Sequence, residues 1–517
     1  MSQSLASSKE NDEEQPAVVA AATDSVPHSY SRLGILGWMF FDFAAQPFFT
    51  VVTSFIFGPY IVSRMVEDPV VGQSAFSLSI AIAGVVIALL SPVLGSIADS
   101  SGPRKPWLAV LAAIKALSLV CLWFSAPGSS LIWVLGLFIL ATACAEFSTV
   151  FNDSMMNFVV PYDEIGKVSS TAWGLGYIGG IVPLILILAF LAGSVETGTT
   201  LIGFDPLFGL DPEQGEDARV ATPLTAAWYL LFTLPMFLFT PDRKSRNEKL
   251  VDSIRQGIVA LKSTYLEARR RRGLFRFLIA RMIYQDGVSA LISLGGPFGA
   301  SLFGWETIEL GLFGIILNVV AIPSCFVAGR LDSKLGSKAI VLGSIVMLTI
   351  ATLGVVSTGS DFAFFGLWKF SATADPDGIF SLPAEKCYIA FALFIGVALG
   401  PIQASSRAYL ASSVGSDETG RYFGLYAFAG KATSFLAPLC VSGVTYITKS
   451  QRIGISCILI FFFVGFFVMR TTPTPAQNKQ FATDSALNDH PDPDAAESPV
   501  EVEQSPEVRN SDGEFEF

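Results

Sequence analysis

The sequence predicts an all-α membrane protein with twelve transmembrane helices in two pseudo-symmetric six-helix bundles. Three observations lead there. Apolar runs of about 20 residues, the length a hydrocarbon core requires, recur along most of the 517-residue chain, and the mean hydropathy is +0.55. One loop stretch is written twice. Gly95-Ser-Ile-Ala-Asp99-Ser-Ser-Gly102-Pro-Arg104-Lys105 returns half a chain later as Gly329-Arg-Leu-Asp332-Ser-Lys334-Leu-Gly336-Ser-Lys338, each copy between two apolar runs. A densely basic stretch then divides the apolar runs into two equal sets.

Residues 1–31 are rich in Ser, Ala and Glu and lack a basic segment followed by an apolar one, so they read as a disordered cytoplasmic tail without a cleaved signal. Spanning helices are expected over 34–62, 74–98, 106–126, 130–156, 168–194 and 223–240 in an N-terminal bundle covering 32–240. The second set falls at 274–302, 308–330, 338–357, 386–411, 422–446 and 453–470, in a C-terminal bundle covering 274–470. Between them, 241–273 carries Arg243, Lys244, Arg246, Lys249 and the run Arg269-Arg270-Arg271-Arg272, which places this linker in the cytoplasm. Leu250, Ile254, Ile258, Leu261 and Tyr265 recur within it at helical spacing, as in an amphipathic helix on the membrane surface. An even number of spans puts both termini inside. The outer loops 195–222 and 358–385 are acidic on balance, which agrees, and residues 471–517 read as a disordered acidic tail. The outer loops show no evident Asn-x-Ser/Thr site, which favours a bacterial inner membrane over a vacuolar one.

Each part of the repeated loop has a physical use. Gly95 and Gly329 allow a neighbouring helix to approach closely. Asp99 and Asp332 are placed to face a helix N-terminus, and Arg104, Lys105 and Lys338 keep the loop on the cytoplasmic side. These seven residues are the expected gating set. The halves match again at Asp163-Glu-Ile-Gly166-Lys167 and Asp417-Glu-Thr-Gly420-Arg421, each followed by small residues and a proline, Pro183 and Pro438. Repeated halves with interrupted helices are the mark of secondary transporters that rock about a midplane site.

Composition narrows the function. The formal net charge of −11 resides largely in the tails and argues against nucleic acid as a partner. Cys121, Cys144, Cys325, Cys440 and Cys457 lie in apolar runs as packing residues, and the two histidines, His28 and His490, lie in the tails. No phosphate-binding loop, metal cluster or nucleophile–base pair appears. An enzyme is not expected, nor a cofactor, a metal or an obligate protein partner.

The repeated loop resembles the signature of the major facilitator superfamily. More closely, the chain resembles its vacuole effluxer-like branch through Trp38-Met-Phe-Phe-Asp42-Phe-Ala44, Gly174-Leu-Gly176-Tyr177-Ile-Gly179-Gly180, Gln403-Ala-Ser-Ser-Arg407-Ala-Tyr409 and Phe423-Gly424-Leu-Tyr426. The resemblance implies a transporter working by alternating access, with amino-acid efflux as the activity of the branch's fungal members. The chain departs from that pattern at Ala45-Gln46-Pro47 and at Asp153.

An ionisable side chain within a span costs roughly 2.5–3.5 kcal/mol at the helix centre and is a functional candidate for that reason. Asp42 lies about 12 Å along the first helix from Gly34, with Gln46 one turn further on the same face. Glu146 sits mid-helix among Ala, Cys, Phe and Ser. Asp42 and Glu146 are expected to carry protons. Asp286 occupies in the seventh helix the place of Asp42 in the first, with Arg281 near enough to pair with it. Gln403 and Arg407, spaced i, i+4, face one way on the tenth helix, and Lys431 interrupts the small residues of the eleventh. Asp42, Gln46, Asp286, Gln403, Arg407 and Lys431 are therefore the expected substrate contacts, acids and cations bracketing a small zwitterion, with ion pairs between helices, such as Arg407 or Lys431 with Asp153 or another acid, as the alternative. Lys115 and Asp153 are read as structural. Tyr177, Tyr284 and Tyr426 are candidates to line the cavity or to pack as aromatics. The expected function is secondary active transport of a small polar metabolite, amino acids favoured, coupled to protons. A sugar or glycoside symporter of the same fold and a non-transporting receptor or scaffold are the alternatives.

Overall fold

The computed structural model describes residues 30–193, 198–243, 266–305, 307–370 and 379–480. Twelve helices among them are long and apolar enough to cross a membrane. They are α1 (Arg32–Ser63), α2 (Val71–Ser101), α3 (Lys105–Phe124), α4 (Leu131–Val159), α5 (Tyr162–Phe190), α6 (Glu216–Phe239), α7 (Arg272–Phe303), α8 (Glu309–Leu335), α9 (Ser337–Ser357), α10 (Pro383–Ser413), α11 (Ser416–Thr448) and α12 (Gln451–Arg470). Large apolar side chains such as Leu117, Leu231, Leu238, Ile460 and Phe463 point outward, as a bilayer-facing girdle requires.

The packing repeats with a period of six helices. In the first half α1 packs on α5 and α6, α3 on α4 and α6, and α2 on α4. In the second half α7 packs on α11 and α12, α9 on α10 and α12, and α8 on α10. Across the halves α2 packs on α11 and α5 on α8, each the image of the other. These cross-half contacts lie towards the end that carries the two loop motifs. One apolar cluster there is continuous through both halves, from Trp38, Leu108 and Phe151 to Phe277, Tyr409 and Tyr422. The opposite end of the first half has a separate cluster around Phe48, Phe57, Phe138 and Leu184.

Glycine sets the closest approaches. A Cβ on Gly179 of α5 would strike the Phe43 carbonyl, and one on Gly180 would lie 3.0 Å from Gln46 Cγ. The backbones of α1 and α5 are thus held close enough to fix the register of Asp42 and Gln46.

Two helices change form near their midpoints. α1 passes from α-helix at Pro47 into a π-helical stretch, Phe48–Phe55, as expected where proline disturbs the ladder. α11 opens into a turn over 432–435, immediately after Lys431. Pro438 has no N–H for the carbonyl of Ser434, which removes one bond that would have closed that turn. α5, expected to be interrupted like α11, runs unbroken through Pro183.

The acidic tail begins later than expected. Residues 475–480 form a short helix, with Thr472 and Asn478 buried. Asn478 Nδ2 donates to Tyr409 Oη at 3.1 Å, and Tyr409 Oη donates to the Pro473 carbonyl at 2.6 Å, so α10 holds this segment. The tails 1–29 and 481–517 and the predicted amphipathic helix around Leu250 and Ile258 lie outside the described residues.

Candidate functional site

A cavity of about 500 Å³ lies between the halves, within the range of about 300–1,000 Å³ usual for small-molecule sites. Its floor, nearest the motif end, carries Asp42 of α1, Asp153 of α4, Arg281 of α7 and Arg407 of α10. Its walls continue to Ile80 of α2, Ser293 of α7 and Ser434 of α11, towards the opposite end.

Arg407 joins four helices. Its Nη1 donates to Asp42 Oδ2 and to Asp153 Oδ1, both at 3.0 Å. Its Nε and Nη2 donate to Oγ and to the carbonyl of Ser169 on α5, both at 2.9 Å. The guanidinium also lies 5.0 Å from the Trp38 ring. A second cross-half pair joins Lys431 Nζ on α11 to Glu146 Oε1 on α4 at 2.8 Å, and it is far less enclosed than the first. Gln403 Nε2 donates to Gln285 Oε1 at 2.9 Å, beside Arg281. Gln46 lines the cavity one turn from Asp42.

Of the two readings, substrate bracket and ion pair between helices, the structure shows the pairs. Asp42 and Arg407 are bound to each other across the halves, because opposite charges largely withdrawn from solvent pair rather than stand alone. Asp286 does not line the cavity: it is buried, and its Oδ1 accepts from Thr433 Oγ1 at 3.1 Å. Arg281 does not pair with Asp286 but lies over the Tyr426 ring at 3.5 Å. Asp153, read as structural, faces the cavity and shares Arg407. Of the three tyrosines, Tyr426 lines the cavity and Tyr177 and Tyr284 pack behind it. Lys115 lies outside the cavity, fully buried, with Nζ 3.7 Å from the Tyr229 ring centroid and 5.1 Å from that of Phe48. Spacing within one helix gives no sign of Asp153 and Arg281 as cavity residues, since what they face belongs to other helices.

At the motif end Asp99 reaches across the halves. Its carboxylate accepts the backbone N–H of Gly420 at 2.9 Å and of Arg421 at 2.8 Å, where α11 begins, and Arg104 Nη2 at 2.9 Å. Asp332 accepts from Ser405 Oγ at 2.7 Å and Ser337 Oγ at 2.8 Å, both in its own half, while its carboxyl fills the space where a Gly166 Cβ on α5 would sit. A Cβ on Gly95 would strike the Gly420 carbonyl, whereas one on Gly329 would come no nearer than 3.1 Å to α5. The lysines act within their halves, not between them. Lys105 Nζ donates to the Phe237 carbonyl at the end of α6 at 2.8 Å, and Lys338 Nζ to the Arg470 and Thr472 carbonyls at the end of α12 at 3.0 and 2.5 Å. The backbone N–H of Arg104 reaches Asp242, beyond α6 in its own half, at 2.9 Å. Cations at helix C-termini satisfy carbonyls left without an intrahelical partner.

The family described as "Vacuole effluxer Atg22 like" matches residues 161–480. An uncharacterized MFS-type transporter, YxiO, of Bacillus subtilis is 27% identical over 446 residues, 84% of this chain and 94% of its own length. Autophagy-related protein 22 of Cryptococcus neoformans is 22% identical over 57% of this chain, and the match spans 48% of the fungal protein. Among solved structures, the human organic anion transporter MFSD10 superposes with a TM-score of 0.61 at 15% identity, covering 85% of this chain and 99% of that one. That likeness establishes the fold. The chain is an integral, multi-pass membrane protein, a transporter of the major facilitator fold and not an enzyme, and it belongs to the vacuole effluxer Atg22-like family.

Proposed function

We propose that this protein moves a small zwitterionic metabolite, an amino acid, across the membrane by alternating access coupled to protons. The cavity between the halves carries the proposal: its charged groups are contributed by both halves and are bound across the boundary between them. Asp42 and Glu146 are the proton-carrying groups, and Gln46, Gln403 and Lys431 contact substrate. Rocking the halves apart at the motif end must break Arg407 from Asp42 and Asp153, and Lys431 from Glu146. A substrate ammonium or a proton then takes the place of the departing cation on each carboxylate. With the motif end on the cytoplasmic side, Asp99 on the start of α11 latches the inner side in an outward-facing state. A bacterial inner membrane is the proposed location.

The experiment is counterflow in proteoliposomes with pooled labelled amino acids, with and without a pH gradient. Wild-type vesicles should exchange label, and Asp42→Asn should keep exchange while losing gradient-driven uptake. Driven uptake that persists in Asp42→Asn removes Asp42 from coupling. Wild-type vesicles that exchange sugars and not amino acids would overturn the substrate class and leave the fold untouched.

A further inference from the structure

The charges in the cavity are unevenly matched. Lys431 and Glu146 are one to one at 2.8 Å, but Arg407 faces two carboxylates, Asp42 and Asp153. Arg281 faces none within ion-pair distance among the described residues. One excess negative charge therefore sits on the first half and one excess positive charge on the second, at the floor of the same cavity.

Arg281 is built to present a guanidinium, not to bury one away. Its guanidinium carbon lies 3.5 Å from the Tyr426 ring centroid, a cation–π contact that holds the fork over the ring. Its Nη1 donates at a long 3.5 Å to Gln403 Oε1, the Tyr284 hydroxyl lies within its reach, and its buried Nε has no acceptor among the described residues. Leaving charged donors unfilled in a buried position is costly. Gln403 in turn is held by Gln285, so a second amide is fixed beside the guanidinium.

We propose that Arg281 is the residue that binds the carboxylate of the substrate, two N–H groups of its fork meeting the two oxygens. The Asp42–Asp153 pair, one cation short, faces the substrate's ammonium. The inference rests on the transport reading above and narrows it. The cavity selects a ligand with one carboxylate and one amine, and Arg281, not Arg407, is the anchor for the acid. Arg407 has its donors already engaged by Asp42, Asp153 and Ser169 and serves as a latch between the halves.

Competition against counterflow of pooled labelled amino acids tests this. Unlabelled amino acids and their carboxamides are the competitors, against wild type, Arg281→Gln and Arg281→Lys. Wild type should prefer the free acids over the amides by about 10- to 100-fold, the range carried by charged hydrogen bonds. Arg281→Gln should lose that preference and Arg281→Lys keep part of it. A purely structural role would lower the yield or stability of the variant without changing the ratio between acid and amide. An unchanged ratio in Arg281→Gln overturns the inference. If Arg281→Gln fails to fold by size-exclusion chromatography, Arg281→Lys decides, since an undiminished ratio there also overturns it. If wild type exchanges no amino acid, the amino-acid reading fails separately, and pooled labelled monocarboxylates replace the probe. Arg281-dependent exchange of these would keep the carboxylate anchor, and exchange independent of Arg281, or none, would remove it.

Discussion

The motif before α3 and the motif before α9 share a Gly, Asp, Gly and Lys in the same order, yet they hold the motif end by different contacts. In the first, Asp99 receives two backbone N–H groups at the start of α11, where the helix dipole also favours a carboxylate, and Gly95 lies against the Gly420 backbone. In the second, Asp332 is satisfied by Ser405 and Ser337 of its own half and meets α5 by shape, against Gly166. A repeated sequence need not give repeated energetics. The first copy is a polar latch across the halves, and the second is a packed contact whose hydrogen bonds survive separation. The lysines, in contrast, do the same work in both copies.

The glycines should show the largest difference. Gly95→Ala places a methyl against a backbone carbonyl that can move only with its helix, whereas at Gly329 the nearest atom is 3.1 Å away and a small shift suffices. Overpacking of about 1–3 kcal/mol corresponds to roughly 5- to 150-fold in the population of the closed state. Counterflow by Gly95→Ala should fall to a level that reflects this, and Gly329→Ala should stay within about threefold of wild type. Equal losses would erase the distinction.

The aspartates come next. Asp99→Ala removes charge-assisted bonds worth about 1.5–3 kcal/mol each across the halves. Labelling of cysteines introduced at the inner end should rise by about tenfold or more. Asp332→Ala removes bonds within one half, so labelling should change little while the melting temperature falls. Greater opening in Asp332→Ala than in Asp99→Ala would reverse the assignment of latch and packed contact.

The smallest effect belongs to the lysines. Lys105→Ala and Lys338→Ala each lose contacts to a helix C-terminus, about 0.3–1 kcal/mol for a dipole-facing cation. Both should lower thermal stability slightly and equally, with no gain in inner-end labelling. Increased labelling in either would mean that its lysine acts between the halves after all.

The spans were legible in the sequence because a bilayer imposes length and apolarity on each helix separately. The twelve helices accordingly lie within several residues of their expected places, from α2 at Val71–Ser101 against 74–98 to α6 at Glu216–Phe239 against 223–240. Asp42, Gln46, Glu146, Gln403, Arg407 and Lys431 were legible as cavity residues on the same principle, since a charge or amide within a span needs a polar surrounding. Asp286 has the same signature and a different fate, satisfied by Thr433 away from the cavity. Arg281 and Asp153 were read as an ion-pair partner and a structural charge for the converse reason, each having a plausible local explanation in the sequence.

What the sequence alone determined is the set of helices, their grouping in two sixes and the polar side chains that had to find partners. Which partner each one found was decided only by the tertiary structure. Periodicity gives the face of a helix but not the helix opposite, and ion pairing depends on distances between helices far apart in the chain. Arg407 meets Asp42 over a separation of 365 residues and Asp153 over 254. Close packing of α1 on α5 and of α2 on α11 brings such pairs together, and it leaves Arg281 without an acid at ion-pair distance among the described residues.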